Sequence, residues 1–222
     1  LDQIDGIERF RISSIEPNLL SNEIISFVAT SQKFVPHMHI PMQSGSDTML
    51  KSMRRRYDVA LYRDRINHIR SVMPDACIGA DVIVGYPGET DTEFNKTLEF
   101  IKELDINYLH VFTYSERANT TALLVEDVIP IPVRQQRNKI LTQISHKKKR
   151  AFYESQVGTT HTVLWEASEN DSMMQGFTEN YIKVQRPIDE AKINTIETAT
   201  LVDIGRNGAV NIDVDADMMV VS

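Results

Sequence analysis

Four stretches end apolar runs in residues able to hold a small polar ligand. They are Glu16 before Pro17, Gln43 with Ser44 and Gly45, the turn Gly85-Tyr86-Pro87-Gly88-Glu89, and Tyr114 with Ser115. A carboxylate or amide hydrogen-bonds hydroxyl and amino groups, and a glycine lets a backbone approach a ligand with no Cβ in the way. Singly, each stretch reads equally well as a turn or a helix cap; Thr90, followed three residues on by Glu93, is a capping box. Four in series, each closing a predicted strand, point to one site at the top of a barrel or half-barrel.

Cations form two knots, Arg54-Arg55-Arg56 and Lys147-Lys148-Lys149-Arg150. A charge run is ordinarily a solvated face. The second knot also suits phosphate contacts or the C-terminal end of a helix dipole. His37 and His39 share one side of a strand, but no acid or cysteine stands at ligand spacing, so no metal site is expected and His37 is read as a strand-start residue. Cys77, inside an apolar run, is read as core. No nucleophile elbow, Ser-His-Asp arrangement or P-loop is present.

The elements that must position these residues alternate. Strands are expected at residues 9–17, 37–43, 77–87 and 107–115. Helices are expected at 19–31, at 46–74 with a break near Tyr57 and Asp58, and at 91–105, where Phe94, Leu98, Ile101 and Leu104 share a face. Strands separated by helices imply parallel pairing with right-handed crossovers. A long helix follows at 133–156. Beyond Gly158 the pattern turns to short β-rich stretches, with Gly205-Arg206-Asn207-Gly208 as a turn, the composition of a small barrel. This gives an α/β domain over 1–154 and an all-β module over 155–222.

The 222 residues carry a net charge of -7, and from Ser155 onward four basic residues face eleven acidic ones, so that module holds the whole excess. Such a balance does not announce a nucleic-acid binder; contact would need one face near Lys183 and Arg186, with the second knot supplying charge. One cysteine excludes an intrachain disulfide and fits a reducing, cytoplasmic setting. No apolar run approaches a membrane span, and the N-terminus lacks a secretory pattern. The absence of an initiator Met suggests a chain that begins partway through a longer protein.

The stretches RISSIEP, HMHIPMQSGSDTMLKSMRRRY, ADVIVGYPGETDTEF and YLHVFTYSERANTTA occur in the order and spacing of the radical S-adenosylmethionine methylthiotransferases, and the chain resembles that family. The resemblance is strongest to the branch acting on N6-threonylcarbamoyladenosine at tRNA position 37; the isopentenyladenosine and ribosomal-protein branches are the alternatives. It implies the last four of six strands of a radical SAM (β/α) barrel, followed by a TRAM-like barrel. It also implies S-adenosylmethionine as cofactor, with Ile83, Gly85 and Glu89 beside the adenine and Glu16 near the polar groups. Gln43 and Ser44 would face the ribose, and Arg55 would reach the carboxylate. A tRNA anticodon arm is the implied partner, gripped through Lys147, Lys148, Lys149, Arg150, Lys183 and Arg186.

The sequence departs from the family at the metal. The family's 4Fe-4S clusters need several cysteines; this chain has one, at a matching position for neither cluster, and the glycine-rich motif after the second barrel strand is missing. The clusters are therefore assigned to a full-length parent, and this portion alone is expected not to turn over. An RNA-binding module with a vestigial barrel wall, or an unrelated small-molecule enzyme on a barrel, are the competing readings.

Overall fold

The computed structural model describes residues 2–116, 125, 127–167 and 172–213. Residues 117–122, the end of the YLHVFTYSERANTTA stretch, lie outside them. The chain divides into two compact units, Leu1–Lys148 and Lys149–Ser222. The division falls inside a helix, ahead of the boundary expected near residue 155.

In the first unit, β1 (Phe10–Ile12), β2 (Phe34–His39), β3 (Cys77–Val84) and β4 (Tyr108–Thr113) form a parallel sheet in the order β1-β2-β3-β4. The connecting helices are α1 (Asn22–Thr30), α2 (Asp47–Ser52), α3 (Val59–Val72) and α4 (Asp91–Glu103). When sequential parallel strands are joined by crossovers of one hand, the helices fall on one face. The core shows this. Ile25 and Val28 of α1, Tyr62, Ile66 and Ile69 of α3, and Phe94, Phe100 and Ile101 of α4 pack with Met38, Ile78, Ala80, Val82 and Leu109 of the sheet. Strand alternation then sends His37, His39, Gly79, Asp81, Ile83, Tyr108, His110 and Phe112 to the opposite face. A parallel sheet covered on one side only is the wall of a β/α barrel rather than a doubly wound sheet.

The caps follow from sequence chemistry. Ser21, Ser46, Asp58 and Thr90 each place a side-chain oxygen on the backbone N–H three residues on, opening α1, α2, α3 and α4. Asp58 explains the break expected near it. Glu93 does not close the capping box on Thr90: its carboxylate accepts from Ser46 Oγ and pairs with Lys96. β1 is shorter than the expected strand, and β2 begins at Phe34, which corrects His37 from a strand-start to a mid-strand residue.

Helix α5 (Ile131–Gln156) lies along β4 over its first half. Ser145 Oγ accepts from Leu109 N at 2.8 Å and donates to Leu109 O at 2.9 Å, while Asn138 Nδ2 donates to Val111 O at 3.0 Å. Side chains thus satisfy the backbone groups of the terminal strand.

In the second unit β5 (Thr160–Glu166), β6 (Met173–Thr178), β7 (Lys183–Pro187), β8 (Ile196–Ile204) and β9 (Val210–Asp213) close a barrel in the order β5-β6-β7-β9-β8. Its interior holds Val163, Trp165, Met174, Val184, Leu201 and Val210. The turn at 205–208 is formed, with Gly205 N–H on Ala209 O at 2.8 Å.

Candidate functional site

The strand ends of the first unit come together around the turn after β3. Gln43 sits just past β2 with φ +66°, held by its N–H on Asp81 O at 2.8 Å and by Ile83 N–H on its own carbonyl at 2.9 Å. A non-glycine residue in the left-handed region costs about 1 kcal/mol or more, here offset by pairing on both sides. Tyr57 and Tyr62 fix the same segment from the helix layer, their hydroxyls donating to Pro41 O at 3.0 Å and Ile40 O at 2.9 Å. Burial pushes the Tyr57 phenol up to about 12.

Glu16 and Arg55 meet: Arg55 Nη1 lies 3.3 Å from Glu16 Oε1. Arg54, in the left-handed region at φ +57°, ends α2, and Arg55 N–H returns to Leu50 O at 2.9 Å, which aims the next side chain at Glu16. Arg55 Nε is buried and makes no hydrogen bond among the described residues. The Arg55 side chain is nonetheless partly exposed beside a half-exposed carboxylate, and a guanidinium so placed is able to receive a second carboxylate.

Two expected ligand contacts are differently placed. Ser44 is fully buried, its hydroxyl 3.0 Å from Thr97 Oγ1 and accepting from Ser46 N–H at 3.2 Å, so it ties the loop to α4. Glu89 is also fully buried; its Oε2 accepts from Gly85 N–H at 2.7 Å and from Arg137 Nη1 at 2.8 Å. Burial raises the Glu89 carboxyl above its ordinary range against the pull of the Gly85 N–H and Arg137. Glu89 therefore shapes the turn from behind. Gly85, at φ +76°, has its own structural reason: a Cβ there would fall 2.3 Å from Arg134 Cγ. Arg134 and Arg137 both come from the start of α5, a connection that neither sequence stretch discloses by itself.

Lower on the open face lies a group that strand spacing alone did not bring together. His39 Nε2 is 2.8 Å from Asp81 Oδ1, and His110 Nδ1 is 3.4 Å from the same oxygen. The Tyr108 hydroxyl lies 3.0 Å from His37 Nε2 and 3.3 Å from His39 Nδ1. Burial pushes the Asp81 carboxyl up, but hydrogen bonds and charge from His39 and His110 outweigh it and leave it lowered. His37 is lowered to about 3 by burial first, then by Arg11 and His39. The signal in the sequence was a lone acid, Asp81, in the otherwise apolar run of β3.

The basic residues are largely engaged. Lys148 donates to Leu104 O at 2.7 Å, and burial lowers it. Lys149 lies over the Tyr153 ring and Arg150 pairs with Glu154 at 2.7 Å. Arg186 lies over the Trp165 ring and pairs with Glu197 at 3.1 Å, while Lys183 gives its backbone N–H to Tyr153 Oη. Lys147 is exposed. The arginines after the first knot brace the fold: Arg70 donates to Pro74 O, Ala76 O and Asn107 Oδ1, and Arg63 pairs with Glu103.

One cysteine, buried in β3, does not fit an iron-sulfur cluster, which takes several thiolates. No described helix is long and apolar enough to cross a membrane.

Residues 2–101 match the Radical SAM superfamily model. The fold agrees with it: coproporphyrinogen III oxidase from Escherichia coli, a radical SAM enzyme, superposes with a TM-score of 0.53 at 17% identity, covering 63% of this chain and 32% of that one. The sequence match over residues 2–101 and the fold of the parallel sheet therefore agree on a radical SAM domain. Among curated relatives, the threonylcarbamoyladenosine tRNA methylthiotransferase of Bacillus subtilis (strain 168) is 40% identical over 82% of this chain and 41% of its own length. Its namesake from Aquifex aeolicus is 36% identical over 84% of this chain and 44% of its own length. The tRNA-2-methylthio-N(6)-dimethylallyladenosine synthase of Endomicrobium trichonymphae is 35% identical over 87% and 49% respectively. The chain belongs to the radical SAM methylthiotransferase family. It spans less than half the length of these relatives.

Proposed function

We propose that this chain is the cofactor-binding barrel wall and terminal barrel of an enzyme that adds a methylthio group to C2 of N6-threonylcarbamoyladenosine at position 37 of tRNA. The observation that carries this reading is the similarity to the two relatives named for that nucleoside. The open face supports the branch. His37, His39, Tyr108 and His110 line it, a polar surface suited to a substituent that bears a carboxylate and a hydroxyl rather than to an apolar dimethylallyl group.

S-adenosylmethionine, when bound, supplies the radical and methyl chemistry. The residues here would hold and orient it. Arg55, whose side chain is partly exposed, would offer its guanidinium to the carboxylate, and Glu16 would accept from the ammonium. Gln43 and Ile83, at the ends of β2 and β3, would flank the adenosine. Ser44, Glu89 and Arg137 keep that rim in shape from the helix side. No step is routed through a cluster, since these residues do not fit one. The five-stranded barrel is read as a TRAM module, and Lys147, Lys149, Arg150 and Lys183 as phosphate contacts for an anticodon arm in the cytoplasm.

The test is mass spectrometry of tRNA nucleosides from cells lacking the gene that encodes this chain. The methylthio form of N6-threonylcarbamoyladenosine should disappear and the dimethylallyl-derived form persist. The opposite pattern assigns the other branch.

A further inference from the structure

We propose that His39, Asp81 and His110 form a three-ligand site for a divalent transition-metal ion of zinc-like softness, on the open face of the parallel sheet. One nitrogen from each imidazole and one carboxylate oxygen lie within 4.8 Å of one another. The three residues come from three adjacent strands. Asp81 and His110 are direct partners in the β3–β4 register, and His39 pairs with Gly79 one row below. Bonds of about 2.0–2.1 Å in a tetrahedral shell put neighbouring ligand atoms about 3.3 Å apart. Of the three ligand pairs, the two that share Asp81 Oδ1 stand at 2.8 and 3.4 Å and the third lies within 4.8 Å, so an ion is admitted by side-chain adjustment of the histidines.

The surroundings are built as a ligand's second shell is. The far nitrogen of His39 meets the Tyr108 hydroxyl, which in turn meets His37 Nε2. A hydroxyl on the non-ligating nitrogen fixes the tautomer and orientation of a metal-bound imidazole. Tyr108 reaches across because position 79 is a glycine: a Cβ there would fall 2.1 Å from Tyr108 Cζ. Access runs the other way. The His39 side chain is 8% exposed and that of Asp81 23%, but that of His110 is 56% exposed, leaving a fourth coordination position toward solvent. Two imidazoles and one carboxylate with no thiolate favour Zn2+ or Co2+ over Mg2+ and Ca2+. Three protein ligands with an open position is the form of a reactive zinc site rather than a closed structural one.

The experiment titrates the chelator-treated chain with Zn2+ by calorimetry and with Co2+ by visible absorption. One saturable equivalent and a tetrahedral Co2+ spectrum are expected. His110→Ala, at an exposed position where folding is not at stake, should weaken binding at least tenfold. Tyr108→Phe should weaken it about tenfold through loss of the orienting hydroxyl. His161→Ala, in the other unit, should leave it unchanged. Folding of each variant is checked by circular dichroism. Absence of saturable binding overturns the proposal and leaves a hydrogen-bonded strand tie. Binding that survives His110→Ala, or that is lost with His161→Ala, overturns it equally.

Discussion

The phenol ring of Tyr108 lies across Gly79, so close that a Cβ at position 79 would fall 2.1 Å from its Cζ. Through that crossing one hydroxyl on β4 serves two histidines on β2. Gly79→Ala should expel the ring and cost about 1–3 kcal/mol of stability, as overpacking does. In a Tyr108→Ala background the same change should cost little. Urea unfolding of the single and double variants measures the coupling; equal costs in both backgrounds would remove Tyr108 as the cause.

Acid should act first on His37. Its folded pKa is lowered to about 3, burial being the main cause, whereas an unfolded imidazole titrates near 6.5. Between those values the unfolded chain binds the extra proton. Stability is therefore flat above about pH 6.5 and falls below it, by up to about 1.4 kcal/mol per unit. Asp81, whose carboxyl is lowered, contributes stability above about pH 4 and loses it only below that, while Glu89, raised by burial, acts above its unfolded pKa in the opposite sense, so the difference between the parent chain and His37→Asn isolates the imidazole. Unfolding midpoints at pH 7, 6, 5 and 4 should drop less steeply for His37→Asn. An unchanged slope would place the acid sensitivity elsewhere.

The helices were legible because their signals are local: apolar residues at helical spacing and a cap at Thr90, to which the structure adds caps of the same three-residue reach at Ser21, Ser46 and Asp58. The face opposite them was legible only as a period of two. What the sequence did not disclose depends on register across long separations. His39 meets Asp81 from 42 positions away, and Glu89 meets Arg137 from 48. Glu89 was placed beside the cofactor by the family resemblance, which carries no information about what packs behind the turn. Only the later arrival of an arginine lets it go fully under cover. Lys148 was grouped with its neighbours as one charge run, whereas helical phase turns it toward Leu104 O and leaves Lys147 outside.

Glu89 and Arg137 should respond unequally to substitution. Arg137→Met strands a buried carboxylate and should cost about 3–5 kcal/mol. Glu89 is itself raised by burial, so its charged form weighs against folding as pH climbs through its folded pKa, and Glu89→Gln removes that charge while keeping an acceptor for Gly85 N–H. Its cost should be about 1 kcal/mol. Denaturant titration at pH 7 decides; a Glu89→Gln loss exceeding that of Arg137→Met would contradict the arrangement.

RNA affinity and stability should separate within the second basic knot. Replacing Lys147, Lys149 and Arg150 by Ala should flatten the log-log salt dependence of tRNA binding by up to about 3, near one per phosphate contact. Lys148→Ala should instead lower the melting temperature and leave the salt slope alone, because its ammonium is spent on Leu104 O. Filter binding across a salt series beside a melting curve distinguishes them. A slope unmoved by the triple variant would return these residues to an ordinary solvated face.

Ser145 and Asn138 give the sheet a direction. A terminal strand with free backbone groups is a template for any extended chain that drifts against it. On β4 the groups of Leu109 and the carbonyl of Val111 are already taken by α5. Augmentation by a foreign strand, whether a productive partner or a misassembled copy, is thereby hindered at Leu109 and Val111 of β4; among the described residues the other end of the order is the three-residue β1. Loss of the Ser145 hydroxyl would open a second, longer template, and the first symptom expected of Ser145→Ala is self-association under conditions where its fold is still intact.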